Sequence, residues 1–140
     1  MKAVFVALAL AAAAFAQNAE ILVPAAGSSL SKSAPLTVSV KKQNSLTGST
    51  DVSVAIGLQA CSTGNCDDFP GQGMIGTVLY AGTFEPKPDA AGNAVQNFTV
   101  QVPDGVAEGA ARLSVAHFYI LGASNVATMD IAHSDVTLTA

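Results

Sequence analysis

Beyond residue 17 the apolar residues recur at every second position, in short runs that turn residues interrupt. Leu36, Val38 and Val40 alternate with Thr37, Ser39 and Lys41. Val52, Val54, Ile56 and Leu58 share one face of the run 51–60, and Phe98, Val100 and Val102 share one face of 94–102. A period of two is the signature of a half-buried strand, and β-branched residues suit the pleated backbone. No stretch keeps apolar residues at helical spacing over three turns with caps at its ends. The chain therefore folds as strands packed on strands.

The runs predict strands over 19–23, 34–42, 51–60, 74–84, 94–102, 111–123 and 126–140. Segment 111–123 is apolar on both faces in its middle, which predicts a central strand, and 126–140 reads as one bent strand or two. The connections carry turn chemistry. "PAAGSS" follows Pro24, "EPKPDAAGN" (85–93) reads as loop, and Pro103-Asp104-Gly105 is a turn in which Pro pre-sets φ. The prolines fall at strand ends and in loops, where a sheet tolerates them. About seven short strands in one domain predict an all-β fold, a single immunoglobulin-like β-sandwich of antiparallel strands.

Residues 1–16 read as a secretory signal peptide. Lys2 supplies the positive start, Ala3–Ala14 is unbroken apolar sequence, and Ala14-Phe15-Ala16 supplies the small residues of a cleavage site. The apolar run is short for a membrane span, and the C-terminal "HSDVTLTA" lacks the hydrophobic tail of a lipid-anchor signal. The mature domain is then 17–140, secreted and extracellular. Removing Lys2 leaves five basic residues against ten acidic ones, a net charge of −5. That balance, with no basic cluster, argues against nucleic acid and against anionic membranes, and no other run predicts membrane insertion.

A secreted destination decides how "ACSTGNCDDFPGQG" (60–73) is read. Cys61 and Cys66 are the two cysteines of the chain, and in an oxidising compartment two cysteines pair. The disulfide closes a very small loop, so it pins that loop rather than the whole domain. Zinc would need about four ligands, and a thioredoxin-like site would need C-x-x-C beside a helix.

Residues able to do chemistry are few. His117 shares a strand face with Leu113, Val115 and Tyr119, which predicts a structural imidazole satisfied by a neighbour. The competing reading joins His117, His133 and Asp130 as a metal or acid–base site, and the spacing does not favour it. Asp67 and Asp68 lack the alternating acids of a calcium loop and read as turn acids. No nucleophile elbow, zinc-helix motif or phosphate loop is present. The chain has no Trp, and no aromatic platform for carbohydrate is visible. The expectation is a protein with no enzymatic activity and no cofactor or metal. Asn97-Phe98-Thr99 is a glycosylation sequon; Phe98 points inward in its strand, so Asn97 points outward, where a glycan can sit.

Three segments read together carry a resemblance: "DVSVAIGLQAC" (51–61), "FPGQGMIGTVLYAGTF" (69–84) and "NFTVQVPDGVAEGAARLSVAHFYILGAS" (97–124). In order and spacing they resemble the Nis1 family of small secreted fungal proteins, named for a necrosis-inducing effector. The resemblance covers roughly the C-terminal two-thirds of the mature chain. It implies a non-enzymatic effector that binds plant immune receptor-associated kinases and suppresses host defence, and it carries over no catalytic residues. The opening "ILVPAAGSSLSKSAPLTVSV" is similar to fungal cell-wall immunoglobulin-like domains, which implies an alternative: a structural module of the fungal wall or matrix.

For a binding protein, loops at one end of the sandwich are the expected contact surface. The stapled loop Cys61–Gly73 presents Asp67, Asp68 and Phe69, an apolar anchor ringed by acids. Loop 85–93, stiffened by Pro86 and Pro88, is expected beside it.

Overall fold

In a computed structural model, residues 19–44, 48–67, 73–122 and 125–140 are described. The expected leader, 1–16, lies outside them. The strands are β1 (Ala19–Val23), β2 (Ser29–Ser31), β3 (Leu36–Lys42), β4 (Ser49–Ala60), β5 (Thr77–Thr83), β6 (Lys87–Pro88), β7 (Ala94–Val100), β8 (Gly109–Leu121) and β9 (Val126–Thr139). They form a four-stranded sheet, β1-β3-β7-β6, and a five-stranded sheet, β2-β9-β8-β4-β5. This is the strand order of an immunoglobulin sandwich, with the first strand divided between the two sheets.

Two features depart from seven antiparallel strands. The extra strands are short, three residues in β2 and two in β6. β2 pairs with β9 in parallel, Ser29 opposite Thr137 and Ser31 opposite Thr139. After Pro24 the chain crosses from one sheet to the other without reversing, so it meets β9 running the same way. The crossing is tied down by Gly27 N–H donating to the Asp135 carbonyl and by Ser134 Oγ donating to the Pro24 carbonyl. β6 lies within the segment read as loop. Pro88 has no N–H to give, and it sits on the sheet edge, where none is required. The hairpin from β6 to β7 turns on Asp89, whose Oδ1 accepts from the backbone N–H groups of Ala91 and Asn93.

The inner faces meet as the alternation predicts. Val38, Val40, Phe98, Val100 and Val102 from one side pack against Val54, Ile56, Leu58, Leu113, Val115 and Leu138 from the other, all buried. β9 is one continuous strand, paired along its length with β8 from Gly109–Leu138 to Leu121–Val126. β8 is central, flanked by β9 and β4.

One phase error of simple alternation matters for the site. Between Asp51 and Ser53 the β4–β8 register shifts, so Val52 is an extra residue opposite no partner. Val52 therefore turns outward, 47% exposed, and does not share the buried face of Val54, Ile56 and Leu58. Asp51 takes the inward position, opposite Tyr119.

Candidate interaction surface

The described polar groups fall into an inner network and an outer one. The inner network lies at the end of the sandwich where β4 begins and β8 ends. His117 is fully buried, its ring stacked on Tyr119 at 4.9 Å and edge-on to Phe84 at 5.0 Å. Its Nε2 lies 3.0 Å from Asp51 Oδ1. A carboxylate only accepts, so Nε2 carries the proton and donates. Nδ1 is then a bare acceptor, and it has no partner. Asp51 Oδ2 accepts from Lys42 Nζ at 2.7 Å, and Lys42 also donates to the Ser49 carbonyl. Tyr119 Oη donates to Asp130 Oδ2 at 2.8 Å. Burial holds the His117 imidazole below its ordinary pKa, outweighing Asp51, which pulls the other way.

This arrangement binds β3, β4, β8 and β9 together through side chains that would each be costly to bury alone. It does not join the two histidines. Asp130 lies opposite His117 in the β8–β9 ladder, on the inner face, whereas His133 lies opposite Ser114 and points outward, exposed. His117 is a structural imidazole. Its partners, Asp51 and Lys42, were not evident in the sequence, because strict alternation puts Asp51 on the outer face and only the bulge at Val52 turns it in. Among the described residues no group of three or more His, Cys, Asp or Glu is placed to hold a metal ion.

Cys61 and Cys66 are joined, with Cα atoms 5.1 Å apart. Cys61 N–H donates to the Ala110 carbonyl, which pins the loop to the start of β8, and Cys66 is buried. Asp67 is the described member of the expected contact loop. Its side chain is 81% exposed and lies 3.7 Å from Arg112 Nη2. Arg112 in turn makes a two-pronged pair with Asp135, at 2.6 and 2.8 Å, whose hydrogen bonds hold the Asp135 carboxyl below its ordinary pKa. Asp68 and Phe69 lie outside the described residues. The two loops expected side by side lie at opposite ends of the sandwich. The stapled loop follows Ala60, opposite Ala111, whereas 85–93 sits where β6 and β7 meet, beside Ala94 and hence the end of β3. They flank a single strand, β5 (Thr77–Thr83), so its two ends hold them apart.

The outer faces of the two sheets differ in character. On the four-stranded sheet, Asn97 is exposed opposite Ser39, Thr99 opposite Thr37, and Lys41 approaches Glu20 at 3.9 Å. On the five-stranded sheet the half near the stapled loop is polar, carrying Arg112, Asp135 and His133. There Ile75 also lies over Gly57, where a Cβ would collide with its carbonyl. The other half is apolar and bare. Phe118 on β8 faces Met129 on β9, with Ile120 opposite Ala127 and Val52 on the bulge beside them. Phe118 is 41% and Met129 44% exposed. They border a shallow hollow of about 490 Å³ whose lining, completed by Tyr119 and Thr128, holds no acid, base or histidine. The outward apolar phase of β8, read as the mark of a central strand, is thus left without a covering layer.

Comparison with curated proteins finds no match. A model of the Nis1 family, by contrast, matches residues 14–137, which takes in every described strand up to the last turn of pairing in β9. With nearly the whole sandwich inside that match, the chain belongs to the Nis1 family.

Proposed function

We propose that the protein is a secreted, non-enzymatic effector that works by contact with another protein, binding plant immune receptor-associated kinases and suppressing host defence. Residues 1–16 act as the export signal in this reading, and the Cys61–Cys66 bond suits the oxidising space outside the cell. The observation that carries it is where the reactive side chains sit. His117, Asp51, Lys42, Tyr119 and Asp130 are engaged with one another at one end of the sandwich, and His117 has no exposed surface. A general base or nucleophile has to reach its substrate; a binding protein needs only a rigid frame with a presented surface, and the sandwich is such a frame. The stapled loop supplies a second support. Its short covalent ring limits the entropy lost when it docks, and exposed Asp67 favours a basic partner surface.

The test is capture. Tagged mature protein is incubated with solubilised plant membranes, and with fungal wall fractions in parallel. The reading expects receptor-associated kinases in the plant capture, and a weaker elicitor-triggered defence response in tissue that expresses the protein. Retention by the fungal wall alone would replace it with the wall-module reading.

A further inference from the structure

The first strand limits where the mature chain can begin. Ala19 opens β1, is 1% exposed within the core and pairs with Lys42 of β3. A chain that started there would place its α-ammonium on a buried residue and desolvate a charge. A cut at the small-residue site Ala14-Phe15-Ala16 avoids this, because it leaves Gln17 and Asn18 ahead of the strand. We propose that the Gln17 exposed by this cut is a modification site, which cyclises to pyroglutamate and blocks the N-terminus of the mature protein. The cut itself comes from the reading of 1–16 as an export signal, on which this inference rests.

The reaction is internal to one residue and needs no oxidant. The neutral α-amine of Gln17 attacks Cδ of its own side chain. A bond from the α-nitrogen to Cδ closes a five-membered lactam, and the bond from Cδ to Nε2 breaks. The proton that the amine gives up leaves with Nε2 as ammonia. An α-amine has an ordinary pKa of about 7.7–8.0, so a fraction of it is the neutral nucleophile in a neutral medium. Attacking and leaving groups are held close by the residue itself. The position is selective, because a chain that began one residue to either side could not close this ring. Ala16 has no side-chain amide, and the amide of Asn18 is one methylene too near.

The ring changes what this end of the domain presents. It removes the terminal cation, which leaves the mature domain one charge more acidic than a free amine would. It also removes the amine that an aminopeptidase grips, and proteolysis concentrates at chain ends. Protection matters here because the sheet starts so close to the terminus. β1 is an edge strand of 5 residues, and its register is broken between Ile21 and Val23. Trimming through Gln17 and Asn18 would reach the buried Ala19 at once. Loss of β1 would then leave β3, which carries the core residues Val38 and Val40, as a bare edge.

Secretion of the full chain from a eukaryotic host, followed by peptide mass spectrometry, tests the proposal. The N-terminal peptide, residues 17–32 after cleavage at Lys32, is expected to be lighter than its sequence by one ammonia. It should resist Edman degradation until a pyroglutamate-specific peptidase removes the ring. Gln17→Ala keeps the small-residue cut and leaves a free amine. A general aminopeptidase should trim that variant at least about tenfold faster than the parent. A peptide that starts at Gln17 and keeps its amide after prolonged incubation at neutral pH would overturn the proposal while the export reading stands. A secreted chain with a different first residue would overturn it by moving the cut. A chain retained in the cell with its leader attached would overturn the export reading as well. A parent trimmed as fast as Gln17→Ala would overturn the blocked terminus.

Discussion

Asp51 reaches His117 only because β4 carries one residue too many: the Nε2 to Oδ1 distance is 3.0 Å, and the bulge at Val52 is what turns the carboxylate inward. The pair joins residues 66 apart in sequence, and Lys42 extends it onto β3. It is a side-chain tie between the two sheets within an otherwise apolar core.

That tie should be visible as coupling. His117→Ala and Asp51→Ala are each expected to lower unfolding free energy by about 1–3 kcal/mol. The double variant should lose less than the two separate losses combined, by roughly 0.5–3 kcal/mol, because each single change already orphans the other partner. Urea denaturation of the four proteins measures this. Strict additivity would show that the contact does not contribute to stability.

The buried imidazole also sets a pH dependence. Its native pKa lies below the unfolded value of 6.5. As pH falls through that value the unfolded chain takes up a proton that the native ring refuses. Stability is therefore full above about pH 7 and declines as pH drops below about 6.5, before the carboxylates titrate. Asp51 and Asp130 face the ring and moderate the decline; Lys42 adds to it. Denaturation midpoints across this window should slope downward toward acid in the parent and be flatter in His117→Gln. An equal slope in both would assign the effect elsewhere.

Removing the staple should cost little. With the joined positions only 5 apart in sequence, replacing both cysteines by Ser is expected to lower stability by about 2 kcal/mol or less. Intact mass after alkylation, with and without reduction, counts the free thiols. Thiols that react without reduction would contradict the bond.

Asn97 should carry a glycan when the protein is made in a eukaryotic secretory pathway. The side chain is exposed on the outer face of β7, with Thr99 exposed two residues on. An N-glycosidase is expected to shift electrophoretic mobility, and Asn97→Gln to abolish the shift while changing stability by less than about 0.5 kcal/mol. An unshifted band from the parent would count against modification.

The sequence alone determined the class of fold, because alternation with a period of two leaves no other way to bury Leu36, Val38, Val40, Phe98, Val100 and Val102 than between two sheets. It determined the burial of His117 for the same reason, and the pairing of Cys61 with Cys66 was legible because no other cysteine competes. Side-chain phase is a local property, and local properties can be read from one strand. The tertiary structure alone decided what depends on register and direction. The Val52 bulge delivered Asp51 to His117, an event that alternation cannot foresee, because an extra residue leaves no mark in the pattern that it interrupts. The parallel pairing of β2 depends on a chain that crosses at Pro24, whereas the separation of the stapled loop from 85–93 needed only the one strand that lies between them. The apolar outer face of Phe118 and Met129 follows the same logic. Two apolar phases in one strand show that both sides can be buried, but whether anything covers the second side depends on what the rest of the chain packs there, and here no described strand does.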